Sequence, residues 1–357
     1  MALVLVLVAC GPRTSNLQSL PGLHDGQSTA VDGPVTLAVV GATEPAVSTL
    51  DILVADVRDA RADLVLFTGS LVRRSTESAW QSAHGQWAGV APAFLGTPGA
   101  RDRRGDGTLR GFHAVFAEQG VPDLGGNVTF SHADLVSEGV RWRVVVLDAD
   151  RRALGDRWLD QLFWLPKVVS PGDYDHLLVL LNAPQATLAD RPRPGRGREV
   201  SALLSVIADH ASATALMAVF MGGGSANELQ LPGGSFGEAH VGAGTSTAPA
   251  SDLWHRGRTD LTERPEVELV DGLDNALRDE LGRRVAAGLA GPLSVERASL
   301  EAFPSDVLPT RGWWRVTVSG TELEVALRIE DGRAAYREIY RIRYTRSAGW
   351  VAAEPPG

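Results

Sequence analysis

The sequence has very little cysteine and almost no lysine. Cys10 is the only cysteine among 357 residues, so the chain forms no internal disulfide and no zinc or redox site built from several cysteines. Lys167 is the only lysine. A basic excess is also absent, because 34 Lys and Arg residues face 43 Asp and Glu residues, giving a formal net charge of −9. Nucleic-acid-binding proteins carry a basic excess or a basic stripe, so we expect no nucleic-acid partner.

Long hydrophobic runs are missing as well. Residues 2–9 are apolar, but a helix needs about 20 such residues to span a bilayer, so the run is typical of the end of a signal peptide. The run ends in the letters LVAC at Cys10, and Gly11 and Pro12 follow. This pattern resembles the lipobox of bacterial lipoproteins, which implies that Cys10 carries the lipid. The alternative is a chance cysteine in an apolar N-terminus.

The lipobox reading sets the expected location and partner of the chain. Residues 1–33 are predicted to be the end of a signal peptide followed by a flexible tether, because residues 11–33 are rich in Gly, Pro, Ser, Thr and Asn. The membrane partner is then reached through an N-terminal lipid anchor at the bacterial cell envelope. In a Gram-negative organism the anchor would lie in the outer membrane or at the periplasmic face, and Gly11 after the lipidated residue favours the outer membrane.

From Pro34 onward, short buried runs alternate with amphipathic segments, which predicts one α/β domain over residues 34–345 and a tail over 346–357. Helices are predicted around Leu50 to Val57, over 156–169, around Val200 to Ile207 and over 272–289. The predicted strands are 35–40, 64–67, 92–95, 128–132, 141–147, 177–181, 216–221, 314–318, 323–329 and 339–344. The early strands run into glycine-rich loops, where parallel-sheet proteins place their active sites.

The order of these loops resembles the calcineurin-like metallophosphoesterase superfamily, which includes the purple acid phosphatases, over residues 35–245. Members carry Gly-Asp-x-His, Gly-Asp, Gly-Asn-His-Asp, a His after a buried strand, and Gly-His-x-His, in that order. The flanks match closely, since residues 66–72 read LFTGSLV where the family has LFTGDLV. The resemblance implies a four-layer fold, in which two mixed β-sheets pack face to face between helices, with a C-terminal β extension over residues 246–345.

The resemblance also implies that the metal ligands have been replaced. In the family, carboxylates, imidazoles and an amide hold two metal ions that activate a hydroxide for phosphoryl transfer. Here the seven ligand positions are occupied by Ala42, Glu44, Ser70, Ala100, Asn182, Gly223 and Ser225. Arg101 stands in the place of the acid His, and only Asp102 matches. We therefore expect a metal-free pseudoenzyme with a binding or assembly role; the alternative is an active phosphoesterase with a divalent metal ion on Glu44 and Asn182.

Arginines near two of these loops give a second hypothesis for the same cleft. Arg101 occupies a former active-site position, and Arg73 and Arg103 are close in sequence to two of the loops. A guanidinium group binds phosphate or carboxylate bidentately without a metal. The sequence therefore predicts a small anionic ligand on these arginines, or an unknown protein partner. The alternative is a solvated loop face, or ion pairs with Asp102 and Asp106.

Overall fold

The computed structural model describes residues 21–23, 26–43, 47–105, 109–119, 129–183, 198–211, 217–222, 228–232, 239–242, 293–296, 312–330, 335–345 and 349–352. The strands in these ranges are β1 (Ser28–Val31), β2 (Val35–Val40), β3 (Leu64–Phe67), β4 (Ala93–Gly96), β5 (Ser131–Ser137), β6 (Val140–Leu147), β7 (His176–Leu181), β8 (Met217–Met221), β9 (Glu228–Pro232), β10 (Ala239–Gly242), β11 (Leu293–Glu296), β12 (Gly312–Ser319), β13 (Glu322–Glu330), β14 (Tyr336–Thr345) and β15 (Gly349–Ala352). The α-helices are α1 (Val47–Asp59), α2 (Glu77–Trp87), α3 (Arg110–Val115), α4 (Arg151–Leu154), α5 (Arg157–Val169) and α6 (Arg198–His210), and a 3₁₀ turn covers Ala117–Gln119. Among the helices described, none is both long enough and apolar enough to cross a membrane.

The strands form two mixed sheets. The first sheet has seven strands in the order β15-β14-β13-β12-β2-β3-β4, with β2, β3 and β4 parallel to one another. The second has eight strands in the order β1-β5-β6-β7-β8-β10-β9-β11, with β6, β7 and β8 parallel. The C-terminal strands β12 to β15 extend the first sheet through antiparallel pairs, so the predicted β extension is part of the main fold.

Alternation along the strands explains the layers. In β2, Leu37 and Val39 join the core between the two sheets, whereas Ala38 and Val40 pack with the layer of α1, α2 and α3. In β6, Val144 and Val146 join the same inter-sheet core, whereas Val145 packs with α5 and α6. Both faces of each central strand are buried, which is why these strands read as continuous apolar runs. The result is a four-layer arrangement of helices, sheet, sheet and helices, as the resemblance predicted.

Part of the predicted tether belongs to the folded body. The sequence predicts a tether over residues 11–33, but residues 28–31 form β1, which pairs in parallel with β5 at the edge of the second sheet. Pro21, a few residues before β1, accepts a hydrogen bond at its carbonyl oxygen from Phe94 N of the edge strand β4 at 2.9 Å. An edge strand exposes unpaired backbone groups, and this segment satisfies some of them on both sheets. Likewise, residues 349–352 of the predicted tail form β15 and pair with β14.

One strand lies further along the chain than its apolar letters suggested. The prediction of 128–132 is displaced to β5, which begins at Ser131 and contains the buried Asp134. Asp134 tolerates burial because Arg143, directly opposite it on β6, donates to both of its carboxylate oxygens at 2.8 and 2.9 Å. A charged residue interrupts the apolar pattern by which a buried strand is recognised. Here the partner that allows its burial comes from the next strand.

Candidate functional site

The C-terminal ends of the parallel strands in the two sheets meet at one edge of the molecule. Thr97, just after β4, donates its hydroxyl to Leu147 O at the end of β6 at 3.0 Å. A Cβ on Gly222, just after β8, would lie 2.0 Å from Thr68 O after β3, so this approach requires glycine. The motif loops identified in the sequence leave from these strand ends, and the structure therefore brings those it describes together.

The loops after β3 and β4 cross in direct backbone contact. A Cβ on Gly69 would lie 2.5 Å from Gly99 N, and one on Gly99 would lie 2.4 Å from Ser70 N. Ser70 is buried and adopts a left-handed conformation with φ of 60°, which costs a non-glycine residue about 1 kcal/mol. Ala42 lies beside this crossing, because its neighbour Thr43 donates its backbone N–H to Ser70 O at 3.2 Å.

Asp102, the one acidic residue that matches the family motif, is held entirely by backbone groups. Its Oδ2 accepts from Ser70 N at 2.6 Å and from Gly99 N at 2.8 Å, and its Oδ1 accepts from Val72 N at 2.9 Å. Burial raises the pKa of Asp102 to about 6, although the three N–H donors and the nearby charge of Arg103 oppose that rise. Its side chain is fully buried, so Asp102 fastens the two loops together and faces no solvent.

Asn182, at the position of the His in the fourth family motif, connects the two sheets. Its Nδ2 donates to Pro98 O and to Asp148 Oδ1, each at 2.7 Å, and its Oδ1 accepts from Ala149 N at 2.9 Å. Pro98 lies in the loop after β4 of the first sheet, whereas Asp148 and Ala149 lie in the loop after β6 of the second. Both polar ends of the amide are therefore engaged within the protein.

Asp148 is the residue at this edge that the sequence reasoning missed. It is fully buried, and its Oδ2 accepts a hydrogen bond from Arg103 Nη2 and another from Thr129 Oγ1 at 2.5 Å. Its Oδ1 accepts from Asp150 N at 3.0 Å, in addition to the bond from Asn182. The signal available in the sequence was its position, since a carboxylate directly after the buried strand β6 faces the same edge as the other motif loops.

The three arginines of the predicted anion site have different surroundings. Arg103 is largely buried and forms an ion pair with Asp148, so it contributes a connection between the sheets. Its predicted alternative partners were Asp102 and Asp106; the charge of Arg103 acts on Asp102, but its hydrogen-bonded partner is Asp148. Arg101 is half-buried, and Arg73 is exposed. Burial, and then the charge of Arg104, lower the pKa of Arg101.

Several predicted positions lie outside the described residues. These are Glu44, Gly223, Ser225, Cys10 and the predicted helix over 272–289. Of the seven positions where the sequence predicts replaced ligands, the structure therefore describes four, which are Ala42, Ser70, Ala100 and Asn182. Ala42 and Ala100 carry only methyl groups, and Ala100 is exposed. Within the ranges that the structure describes, no three His, Cys, Asp or Glu side chains are grouped so that they would hold a metal ion.

Comparison with known proteins shows the fold. No family model matches the sequence, and no curated protein matches it. The purple acid phosphatase PPD1 from yellow lupin (Lupinus luteus) is similar in structure, with a TM-score of 0.54 and 12% identity over 90% of this chain and 54% of that one. The chain thus spans about half the length of the lupin enzyme.

A second solved structure matches along most of both chains. It is GAP50, described as the anchor in the inner membrane complex of Plasmodium, with a TM-score of 0.51 and 12% identity over 86% of this chain and 89% of that one. Together the two structures confirm the predicted fold class, a metallophosphoesterase-like α/β fold of two mixed sheets with flanking helices. At 12% identity the likeness concerns the fold alone.

Proposed function

We propose that this chain is a metal-free, non-catalytic member of the metallophosphoesterase fold that is anchored by a lipid on Cys10 and has a binding or assembly role at the bacterial cell envelope. The observation that carries the proposal is the state of Asp102 and Asn182. Asn182 offers an oxygen at a predicted former ligand position and Asp102 is the acidic residue that matches the motif, and internal hydrogen bonds engage both.

The chemistry of the other described positions supports the same conclusion. A binuclear site needs several anionic or imidazole donors for each ion and a carboxylate that bridges them. The described positions offer two methyl groups, at Ala42 and Ala100, and the neutral hydroxyl of Ser70 where the bridging carboxylate belongs. The residues present do not suit a pair of cations, and we derive no reaction step through a metal.

The hydrogen-bonded network at the strand ends offers a reason why the fold would be stable without metal ions. Metal ions in such a site would join the loops of the two sheets. Here Arg103 belongs to the loop after β4 of the first sheet, and Asn182 contacts that loop. Both donate hydrogen bonds to Asp148 of the second sheet. This network makes the same connection with protein groups alone.

The binding role draws support from the N-terminus and from the fold comparison. The lipobox-like LVAC at residues 7–10 predicts the anchor. GAP50, the anchor in the inner membrane complex of Plasmodium, has a comparable fold along nearly its whole length, so an anchoring role is compatible with this architecture. We further propose that Arg101 and Arg73 offer positive charge at the strand-end cleft to a phosphate or carboxylate group.

Hydrolysis assays test the absence of catalysis. The full-length protein is assayed with chromogenic phosphate monoesters and diesters in the presence of Mn²⁺, Fe²⁺, Zn²⁺ or Mg²⁺, beside the Glu44→Ala variant. We expect no turnover above buffer from either protein. Metal-dependent turnover that is lost in Glu44→Ala would contradict the proposal and establish a phosphoesterase with a reduced metal site.

Metabolic labelling tests the anchor separately. Cells expressing the wild-type chain or Cys10→Ser are grown with radiolabelled palmitate, and the protein is recovered and fractionated. We expect label and membrane association in the wild type and loss of label in Cys10→Ser. An unlabelled wild-type protein would refute lipidation without affecting the proposal on catalysis.

Titration tests the anion site. Isothermal titration with phosphate, nucleotides and phosphosugars is run on the wild type, on Arg101→Ala and on Arg58→Ala, a control in the last turn of α1. Saturable binding that only Arg101→Ala abolishes is expected. No binding, or binding unchanged in Arg101→Ala, would remove this part of the proposal.

A further inference from the structure

Helices α4 and α5 present an unusual exposed surface. Phe163 is 70% exposed and Leu159 is 54% exposed, and these are the large hydrophobic side chains that the described part of the chain leaves in solvent. They are four residues apart on α5 and therefore lie on one side of the helix. The opposite side of α5 is buried against the second sheet through residues such as Leu165 and Val169.

Exposed basic residues lie close in sequence to this apolar pair. Arg151 and Arg152 of α4 and Lys167 of α5 are all exposed. Arg157 and Asp160 form an ion pair of 3.1 Å, and Asp150 lies 3.4 Å from Arg103 Nε, so two of the three acidic residues between 150 and 167 have a basic neighbour. Basic residues outnumber acidic ones over residues 150–167, four to three, in a chain whose formal net charge is −9.

The N-terminal part of the chain joins the fold beside this surface. Gly26 N donates to His132 O at 2.9 Å, and the ring of His132 lies 6.0 Å from that of Trp164 on α5. The described chain begins at Pro21, eleven residues after Cys10. Even fully extended, eleven residues span only about 40 Å, so a lipid on Cys10 would keep the folded body close to its membrane.

We propose that the α4–α5 face, defined by Arg151, Arg152, Leu159, Phe163 and Lys167, docks on an anionic lipid surface. Exposed aromatic and aliphatic groups enter the boundary between headgroups and acyl chains, and basic side chains are attracted to anionic headgroups. The acidic remainder of the chain would be repelled by the same surface, which favours one orientation. Placement of this face at the cell's own membrane rests on the proposed lipid anchor; the affinity of the face for lipid does not.

Cys10→Ser tests the face without the anchor. The full-length Cys10→Ser protein is sedimented with vesicles of phosphatidylglycerol mixed with phosphatidylcholine, and with vesicles of phosphatidylcholine alone. We expect binding to the anionic vesicles that weakens as salt is added. Equal or no binding to the two vesicle types would overturn the proposal.

Two further variants in the same background identify the face. Leu159→Ser with Phe163→Ser should lower the partition coefficient by about tenfold or more. Arg151→Gln with Arg152→Gln should lower it about 30-fold, since each basic residue near an anionic surface contributes about fivefold. The matched control is Arg58→Gln with Arg61→Gln, because both arginines are exposed on the opposite helical layer. Control and face variants that weaken binding equally would contradict a specific docking face.

A fluorescent label and light scattering show whether the α4–α5 face binds a membrane or a second copy of the chain. Cys10→Ser leaves no thiol, so Phe163→Cys or Arg58→Cys in that background carries an environment-sensitive dye at one site. A blue shift with anionic vesicles at residue 163 but not at residue 58 supports the proposal. A dimer in light scattering that disappears in Leu159→Ser with Phe163→Ser, together with no vesicle binding, would overturn it. Loss of palmitate labelling with intact vesicle binding would refute the anchor alone.

Discussion

Two buried arginine–aspartate pairs in this molecule have different roles. Arg143 and Asp134 lie opposite each other on neighbouring strands of one sheet, and the Arg143 guanidinium also donates to Val168 O at 2.7 Å and faces the ring of Tyr174 at 5.1 Å. Arg103 and Asp148 instead connect loops of different sheets, at the edge where the strand ends meet. The first pair strengthens a sheet that backbone hydrogen bonds already hold, whereas the second joins two layers at the proposed former metal site.

The largest expected effect comes from breaking the pair between sheets. Asp148→Ala leaves Arg103 without its buried partner, and Asn182, Thr129 and Asp150 each lose an acceptor. We expect the free energy of unfolding to fall by about 5 kcal/mol, as for other broken buried ion pairs. Urea unfolding monitored by tryptophan fluorescence measures it. A loss below about 1 kcal/mol would show that the network does not hold the sheets together.

The pair within one sheet should be easier to replace. Asp134→Ala leaves Arg143 buried without its carboxylate and should cost about 3 kcal/mol. The double variant Asp134→Leu with Arg143→Leu should recover most of that loss, because hydrophobic residues substitute well for a buried ion pair within a packed layer. The same urea titration applies. A double variant that is as unstable as Asp134→Ala would remove the distinction between the two pairs.

Asp102 sharpens the comparison, since its hydrogen-bond partners among the described residues are three backbone N–H groups and none is the guanidinium of an arginine. Asp102→Asn replaces one accepting oxygen with an NH₂ group, so Oδ2 no longer accepts from Ser70 N and Gly99 N if Oδ1 keeps Val72 N. We expect a loss of about 2 kcal/mol in unfolding free energy, because buried donors are left unpaired. Hydrogen exchange of those amides should rise in parallel. Unchanged exchange would show that Asp102 does not fasten the loops.

The smallest effect concerns pH. Burial, and then the charge of Arg103, lower the pKa of His113 to about 4 from an ordinary value near 6.5. Protons therefore bind the unfolded chain first, and stability from His113 is present above about pH 6.5 and is lost as pH falls toward 4. Between about pH 7 and about pH 5.5, this loss amounts to about 1 kcal/mol.

Asp102 acts in the opposite direction over the same range. Because its folded pKa is raised to about 6, the folded state binds the proton first, and its contribution to stability increases as pH falls below 6. The His113→Gln variant separates the two contributions to the pH dependence, because it removes that of His113 and leaves that of Asp102. Relative to wild type, its unfolding free energy should improve by about 1 kcal/mol on acidification from about pH 7 to about pH 5.5. A difference between the two proteins that is constant with pH would contradict the assigned pKa of His113.

Much of the fold could be predicted from the sequence because the central strands are buried on both faces. Runs such as Leu64–Phe67 and His176–Leu181 are apolar enough to be recognised without any knowledge of their neighbours. The edges were harder to predict. Ser28–Val31 is too short and too polar to stand out, and it becomes a strand only because β5 offers it an open edge.

The candidate site divides in the same way. The loops could be located from strand ends and glycines, since a backbone approach such as Gly69 to Gly99 has a visible requirement for glycine. The partner of Arg103 could not be predicted, because Asp148 is 45 residues away in sequence and a short-range pattern favoured Asp102 or Asp106. Long-range pairing depends on how the two sheets face each other, which hydrophobic periodicity does not encode.

Metal content tests the central claim most directly. The full-length protein is incubated with Mn²⁺, Fe²⁺ and Zn²⁺, dialysed extensively and measured by inductively coupled plasma mass spectrometry, and crystals are examined by anomalous scattering at the strand-end edge. We predict far less than one ion per chain and no anomalous peak among Ser70, Asp102 and Asn182. A tightly held pair of ions at that edge would contradict the account.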